Sequence, residues 1–83
     1  MTKAEIKKLI IDSDYKNQDV VIWWTCQFME KPSFLVAVWS RNKERFDISL
    51  HSASLTLSQL VNNIFADSQK SNFKIKIVEV GDD

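Results

Sequence analysis

From Val20 to Phe28 every second residue is apolar: Val20, Ile22, Trp24, Cys26 and Phe28. A strand turns successive side chains to opposite faces, so this set makes one continuous buried face and predicts a β-strand. The alternate set, Val21, Trp23, Thr25, Gln27 and Met29, mixes apolar and polar positions and suits neither ordinary core nor ordinary solvated surface. Ahead of this strand, Ile6, Leu9 and Ile10 recur at helical spacing, and Thr2 and Glu5 are spaced as a capping box. A short amphipathic helix is therefore expected over residues 3–12. Asp12 to Asp19 shows no periodicity and reads as a connection.

Beyond the strand, Glu30-Lys31-Pro32-Ser33 predicts a turn, since proline cannot donate to a ladder. Phe34 to Ser40 reads as a second strand, apolar on both sides, and Asn42-Lys43-Glu44 as the next turn. Phe46, Ile48 and Leu50 alternate with Arg45, Asp47, Ser49 and His51 in an expected third strand. Thr56 and Gln59 repeat the capping-box spacing with Leu55 and Leu60 placed as its staple. Leu57, Leu60, Val61, Ile64 and Phe65 then form the apolar stripe of a second helix. After a polar break, Phe73, Ile75 and Ile77 alternate with Lys74 and Lys76 in a last strand ending near Val80.

The order α-β-β-β-α-β predicts a single α+β domain over residues 1–83. Its expected form is a two-layer sandwich with a three-stranded antiparallel meander and helices mainly on one face. A helix between the third and fourth strands carries the chain across the sheet, so the fourth is expected beside the first, in the order 3-2-1-4, and parallel to it.

Composition narrows the class. With 45% hydrophobic and 27% charged residues the chain is expected to be a soluble globule rather than disordered. Its 11 basic and 11 acidic residues cancel, so no global field draws it to nucleic acid or an anionic membrane. The one cysteine, Cys26, permits no internal disulfide, and its position on the apolar face suggests a buried hydrophobe in a reducing compartment. No long apolar run suggests a signal peptide or membrane span, so a cytoplasmic location is expected.

Candidate chemistry changes little. The only glycine, Gly81, cannot build a phosphate-cradling loop, and one cysteine and one histidine far apart cannot supply a zinc site. The Asp12 to Trp23 stretch fails as a calcium loop, with Lys16 and Asn17 at positions needing a ligand and a glycine. No cofactor or metal is expected. Asp47, Ser49 and His51 are the residue types of a hydrolytic triad. Neighbours two apart on a strand are about 6.5 to 7 Å apart, too far for a relay that needs contact near ~3 Å. The helix, three strands, helix order resembles that of double-stranded RNA-binding domains in architecture alone. Such a module needs cations at the start of its last helix, and residues 52–66 contain no Lys or Arg.

What remains is the half-apolar face. If both helices lie on one side of the sheet, Trp23 and Met29 lie on the other. A three-residue second turn with a five-residue first loop would put Trp39 opposite Trp23, near Arg41 and Asp47. A two-residue turn would send Trp39 inward with Trp24. Trp, Met and Arg are enriched at binding hot spots. The expected function is therefore a non-enzymatic protein-binding domain, an inhibitor or adaptor of the size seen in phage counter-defence and toxin-immunity proteins. It would act through an apolar sheet face or a strand edge, on another protein or on a second copy of itself. The expected partner-binding residues are Trp23, Met29, Trp39, Arg41, Lys43 and Arg45. The alternative is a nucleic-acid-binding module using the cationic turn, and a hydrolase around His51 comes third.

Overall fold

A computed structural model describes residues 1–49, 53–70 and 72–80. Both helices begin as their capping boxes require. α1 (Lys3–Asp12) starts where the Glu5 N–H donates to Thr2 Oγ1 at 3.1 Å and the Thr2 N–H donates to the Glu5 carboxylate at 2.9 Å. α2 (Leu57–Ser68) repeats the reciprocal pair between Thr56 and Gln59 at 3.3 and 3.0 Å. Each box satisfies two donors that a helix start otherwise leaves unpaired.

The strands are β1 (Val20–Phe28), β2 (Lys31–Ser40), β3 (Arg45–Ile48), β4 (Ala53–Leu55) and β5 (Ile75–Glu79). They form one sheet in the order β4-β3-β2-β1-β5, and every neighbouring pair is antiparallel. Two expectations change here. The third strand ends at Ile48, and a further strand, β4, follows it. Leu50, His51 and Ser52 lie outside the described residues. β5 is also antiparallel to β1, not parallel. The reason is β4: it reverses the chain before α2, so the helix still joins strands of like direction, but they are β4 and β5 at opposite edges of the sheet.

The first turn is tighter than the sequence suggests. Met29 and Glu30 alone connect β1 to β2, both at positive φ (52° and 64°), the signature of a type I′ hairpin. Lys31, Pro32 and Ser33 therefore belong to β2 and break nothing. In a two-residue hairpin the flanking pair, Phe28 and Lys31, exchanges hydrogen bonds, and the next pair, Gln27 and Pro32, does not. Pro32 thus turns its missing donor away from β1, toward a side that β3 does not reach, because β3 pairs only with residues 37–40.

The core lies on the side of the sheet that carries Trp24. Val20, Ile22, Trp24 and Cys26 of β1 pack there with Leu35 and Ala37 of β2 and Phe46 and Ile48 of β3. Ile6 and Ile10 of α1 and Leu60, Val61 and Ile64 of α2 close over them. Both helices thus cover one face. Trp24 is fully buried, and its indole N–H donates to Asp67 Oδ2 on α2 at 2.8 Å, which fastens helix to sheet.

Candidate binding face

Among the described residues no helix lies over the opposite face of the sheet. Alternation places Val21, Trp23 and Thr25 of β1 there, and the register brings Val38, Val36 and Phe34 of β2 opposite them in turn. On the other flank Lys76 pairs with Trp23 and Val78 with Val21. The Trp23 and Phe34 rings meet edge to face with centroids 5.4 Å apart. Phe34 is 57% exposed, while Trp23 is partly shielded by its neighbours. The result is a strip of aromatic and aliphatic side chains left to solvent, the kind of surface that marks an interaction site when it is rimmed by polar groups.

Both rims are polar. On the β3 side Asp47, opposite Val38, accepts from Ser54 Oγ at 2.7 Å and from Lys43 Nζ at 3.3 Å. These two bonds, the Ser54 bond foremost, hold the Asp47 carboxyl below the usual carboxylate range. On the β5 side Lys76 flanks Trp23, and the Lys74 N–H donates to Thr25 Oγ1 at 2.8 Å. The β1–β2 hairpin turn closes one end of this face. Phe28 and Met29 at its tip are 51% and 81% exposed.

The expected site residues are only partly brought together. Trp23 lies on the open face. Met29 occupies the hairpin turn at the end of that face. Trp39 does not face Trp23, whose partner is Val36; it pairs with Phe46 and points to the helix side. There its ring meets Tyr15 and Phe46 at 4.9 Å each, with Lys16 Nζ 6.0 Å from its centroid. The two-residue β1–β2 turn pairs Trp24 with Leu35 and so sets the odd positions of β2, Trp39 among them, on the helix side; the four-residue loop from β2 to β3, Arg41 to Glu44, pairs Trp39 with Phe46 on that face. The two cations of that loop and Arg45, which opens β3, are engaged within the chain. Arg41 pairs with Asp19 at 3.5 Å, Lys43 with Asp47, and Arg45 Nη1 donates to the Ser54 carbonyl at 3.3 Å. Phe34, Val36, Val38 and Val78 were not among the expected site residues; their signal was the apolar character of both sides of the second strand.

A cleft of about 490 Å³ lies on the helix side between α2 and the β1–β2 ribbon, and reaches Cys26, Phe28, Leu35 and Asp67. Burial, and then the Asp67 charge, push the Cys26 thiol up, away from a reactive thiolate. Of the triad residue types, Asp47 bonds to Ser54, and Ser49 Oγ accepts the Val36 N–H at 3.1 Å; His51 lies outside the described residues. Among the described residues no three His, Cys, Asp or Glu side chains converge as a metal site would require, and no helix is long and apolar enough to cross a membrane. Comparisons with protein-family models, with curated proteins and with solved structures find no match for this chain.

Proposed function

We propose that the chain is a non-catalytic protein-binding domain, an inhibitor or adaptor, that docks through the uncovered face of the β1–β2 ribbon. The supporting observation is the Trp23–Phe34 pair. Two aromatic rings stacked edge to face at 5.4 Å lie on the face opposite α1 and α2, between aliphatic neighbours and polar rims. An apolar centre with a polar margin is the anatomy of a protein interface. Lys74 and Lys76 border one side, so the partner offers an apolar patch edged by carboxylates. The working compartment in this reading is the reducing cytoplasm, where Cys26 stays a thiol.

The test is capture of binding proteins by the wild-type chain and by folded Trp23→Ala, Phe34→Ala and Arg41→Ala variants, with and without nuclease. Partners are expected to be lost with the first two at a cost of about 2 kcal/mol or more each, and retained with Arg41→Ala and after nuclease. Capture that survives Trp23→Ala overturns the reading. Capture abolished by nuclease points instead to nucleic acid.

A further inference from the structure

The two edges of the sheet are closed to different degrees. At one edge β4 is three residues long. The Ser49 N–H bonds to Val36, so odd-numbered positions of β3 serve β2 and even-numbered ones serve β4. With Phe46 opposite Leu55 and Ile48 opposite Ala53, only Ser54 turns its backbone outward, and Arg45 already occupies its carbonyl at 3.3 Å. The free end of β2 is blunted by Pro32, which offers no donor.

The β5 edge has no such protection. The Thr25 N–H donates to the Lys74 carbonyl at 2.9 Å and the Val80 N–H to the Asp19 carbonyl at 2.8 Å, so even-numbered positions of this strand serve β1. Alternation then turns the N–H and C=O groups of Ile75, Ile77 and Glu79 outward, and none has a hydrogen-bond partner among the described residues. A cleft of about 320 Å³ runs beside them between β5 and α1, where Leu9 is 42% exposed.

We propose that this edge pairs with the same edge of a second copy, β5 against β5 about a two-fold axis, joining two sheets into one. The interaction goes beyond the face described above, because it uses backbone groups at the edge rather than side chains on the open side. The strand is suited to its own copy because its charges fall on different faces: Lys74 and Lys76 lie with Trp23 on the open side, and Glu79 lies with Val20 on the helix side. Antiparallel pairing carries the basic start of each copy toward the end of the other, where Val78 and Val80 share its face.

Charge also selects the register. An axis at Lys76 would set two ammonium groups directly opposite on the outer face, which is unfavourable. An axis at Ile77 sets Ile77 against its copy on the helix side and Lys76 against Val78 of the second copy. It also lets Ile75 exchange bonds with Glu79 of the second copy, and the reverse. The Val21–Val78 end of the apolar strip then runs on across the axis, so the pair presents two Trp23 faces on one continuous surface.

The test is sedimentation equilibrium of the full chain across the micromolar range, with amide hydrogen exchange alongside. A dimer is expected, with exchange at Ile75, Ile77 and Glu79 slowing as concentration rises. Val78→Lys, on the solvent face, puts a cation opposite Lys76 twice and weakens association about tenfold, whereas Val78→Glu strengthens it. Ile77→Pro removes an outward donor while sparing the bonds to β1, and it also dissociates the pair. Trp23→Ala leaves the dimer intact, which separates this proposal from the docking face. A chain that stays monomeric throughout, a dimer indifferent to Val78→Lys, or a dimer lost with Trp23→Ala overturns it.

Discussion

Trp24 gives the most direct test of how the sheet and α2 are held together. Its side chain is fully buried, and its only polar atom is satisfied by Asp67 at 2.8 Å. Trp24→Ala removes the largest core side chain and leaves a cavity, a change worth about 3 to 5 kcal/mol. For a domain of 83 residues the whole folding free energy is roughly 4 to 12 kcal/mol, so this one substitution is expected to leave it unfolded or nearly so. The polar link can be isolated. Asp67→Ala keeps the indole but strands its N–H in the core, at about 1 to 3 kcal/mol. Trp24→Phe removes donor and some volume together, and Asp67 is only half-buried, so water can then reach its carboxylate. Denaturant melts followed by circular dichroism, arranged as a double-mutant cycle, measure the coupling, expected at about 1 kcal/mol or more. Trp23→Ala belongs in the same series, with a much smaller loss expected from the open face. If Trp24→Ala melts within about 1 kcal/mol of wild type, or if Trp23→Ala is the more destabilising, the two faces have been assigned the wrong way round.

Two further outcomes follow from the hairpin and from Asp47. Met29 and Glu30 hold positive φ without the glycine or asparagine that such a turn favours, so Glu30→Gly is expected to stabilise the fold by about 0.5 to 1 kcal/mol; an unchanged or lower denaturation midpoint would show that the turn is not type I′. Asp47 has a folded pKa lowered by Ser54 and Lys43, so its contribution is present above the unfolded carboxylate value and is lost as pH falls through the lowered folded value. Stability measured against pH should fall less steeply in that acidic window for Asp47→Asn than for wild type, and identical slopes would refute the assignment.

The parts of the fold that were legible in the sequence are those where two independent signals agree. Thr2 with Glu5 and Thr56 with Gln59 set helix starts, and the apolar spacing after each set the buried face; Ile6, Ile10, Leu60 and Ile64 are all fully buried. β1 was legible because one of its two residue sets is wholly apolar, so a one-residue slip would expose Trp24 and Ile22 together. β4 left no comparable trace. Ala53-Ser54-Leu55 is too short for alternation to distinguish a strand from the lead-in to a helix. Missing it also inverted the expected direction of β5, since each added strand reverses the chain once.

The composition of the candidate site depended on a different quantity, the parity of two loops. β2 is apolar on both sides, so its residues alone do not say which set faces the core. Pro32 suggested a long first loop, yet a proline whose nitrogen points away from β1 costs the ladder no bond, and the turn shrinks to Met29 and Glu30. With that parity Leu35 and Ala37 enter the core and Trp39 joins them at its margin against Tyr15, while Phe34, Val36 and Val38 move to the open face. The exchange alters what a partner meets. A Trp23–Trp39 pair beside Arg41 would have been an aromatic and cationic surface, equally suited to bases and phosphates. The face that forms instead is Trp23 against Phe34 among valines, and the nearby cations Arg41, Lys43 and Arg45 are engaged by Asp19, Asp47 and Ser54. Exposed ion pairs of this kind contribute little stability, and the cations beside Trp23 itself, Lys74 and Lys76, sit along one rim of a face whose centre is aromatic and aliphatic. An apolar centre favours the proposed protein partner over a phosphate backbone, whose binding rests on cations.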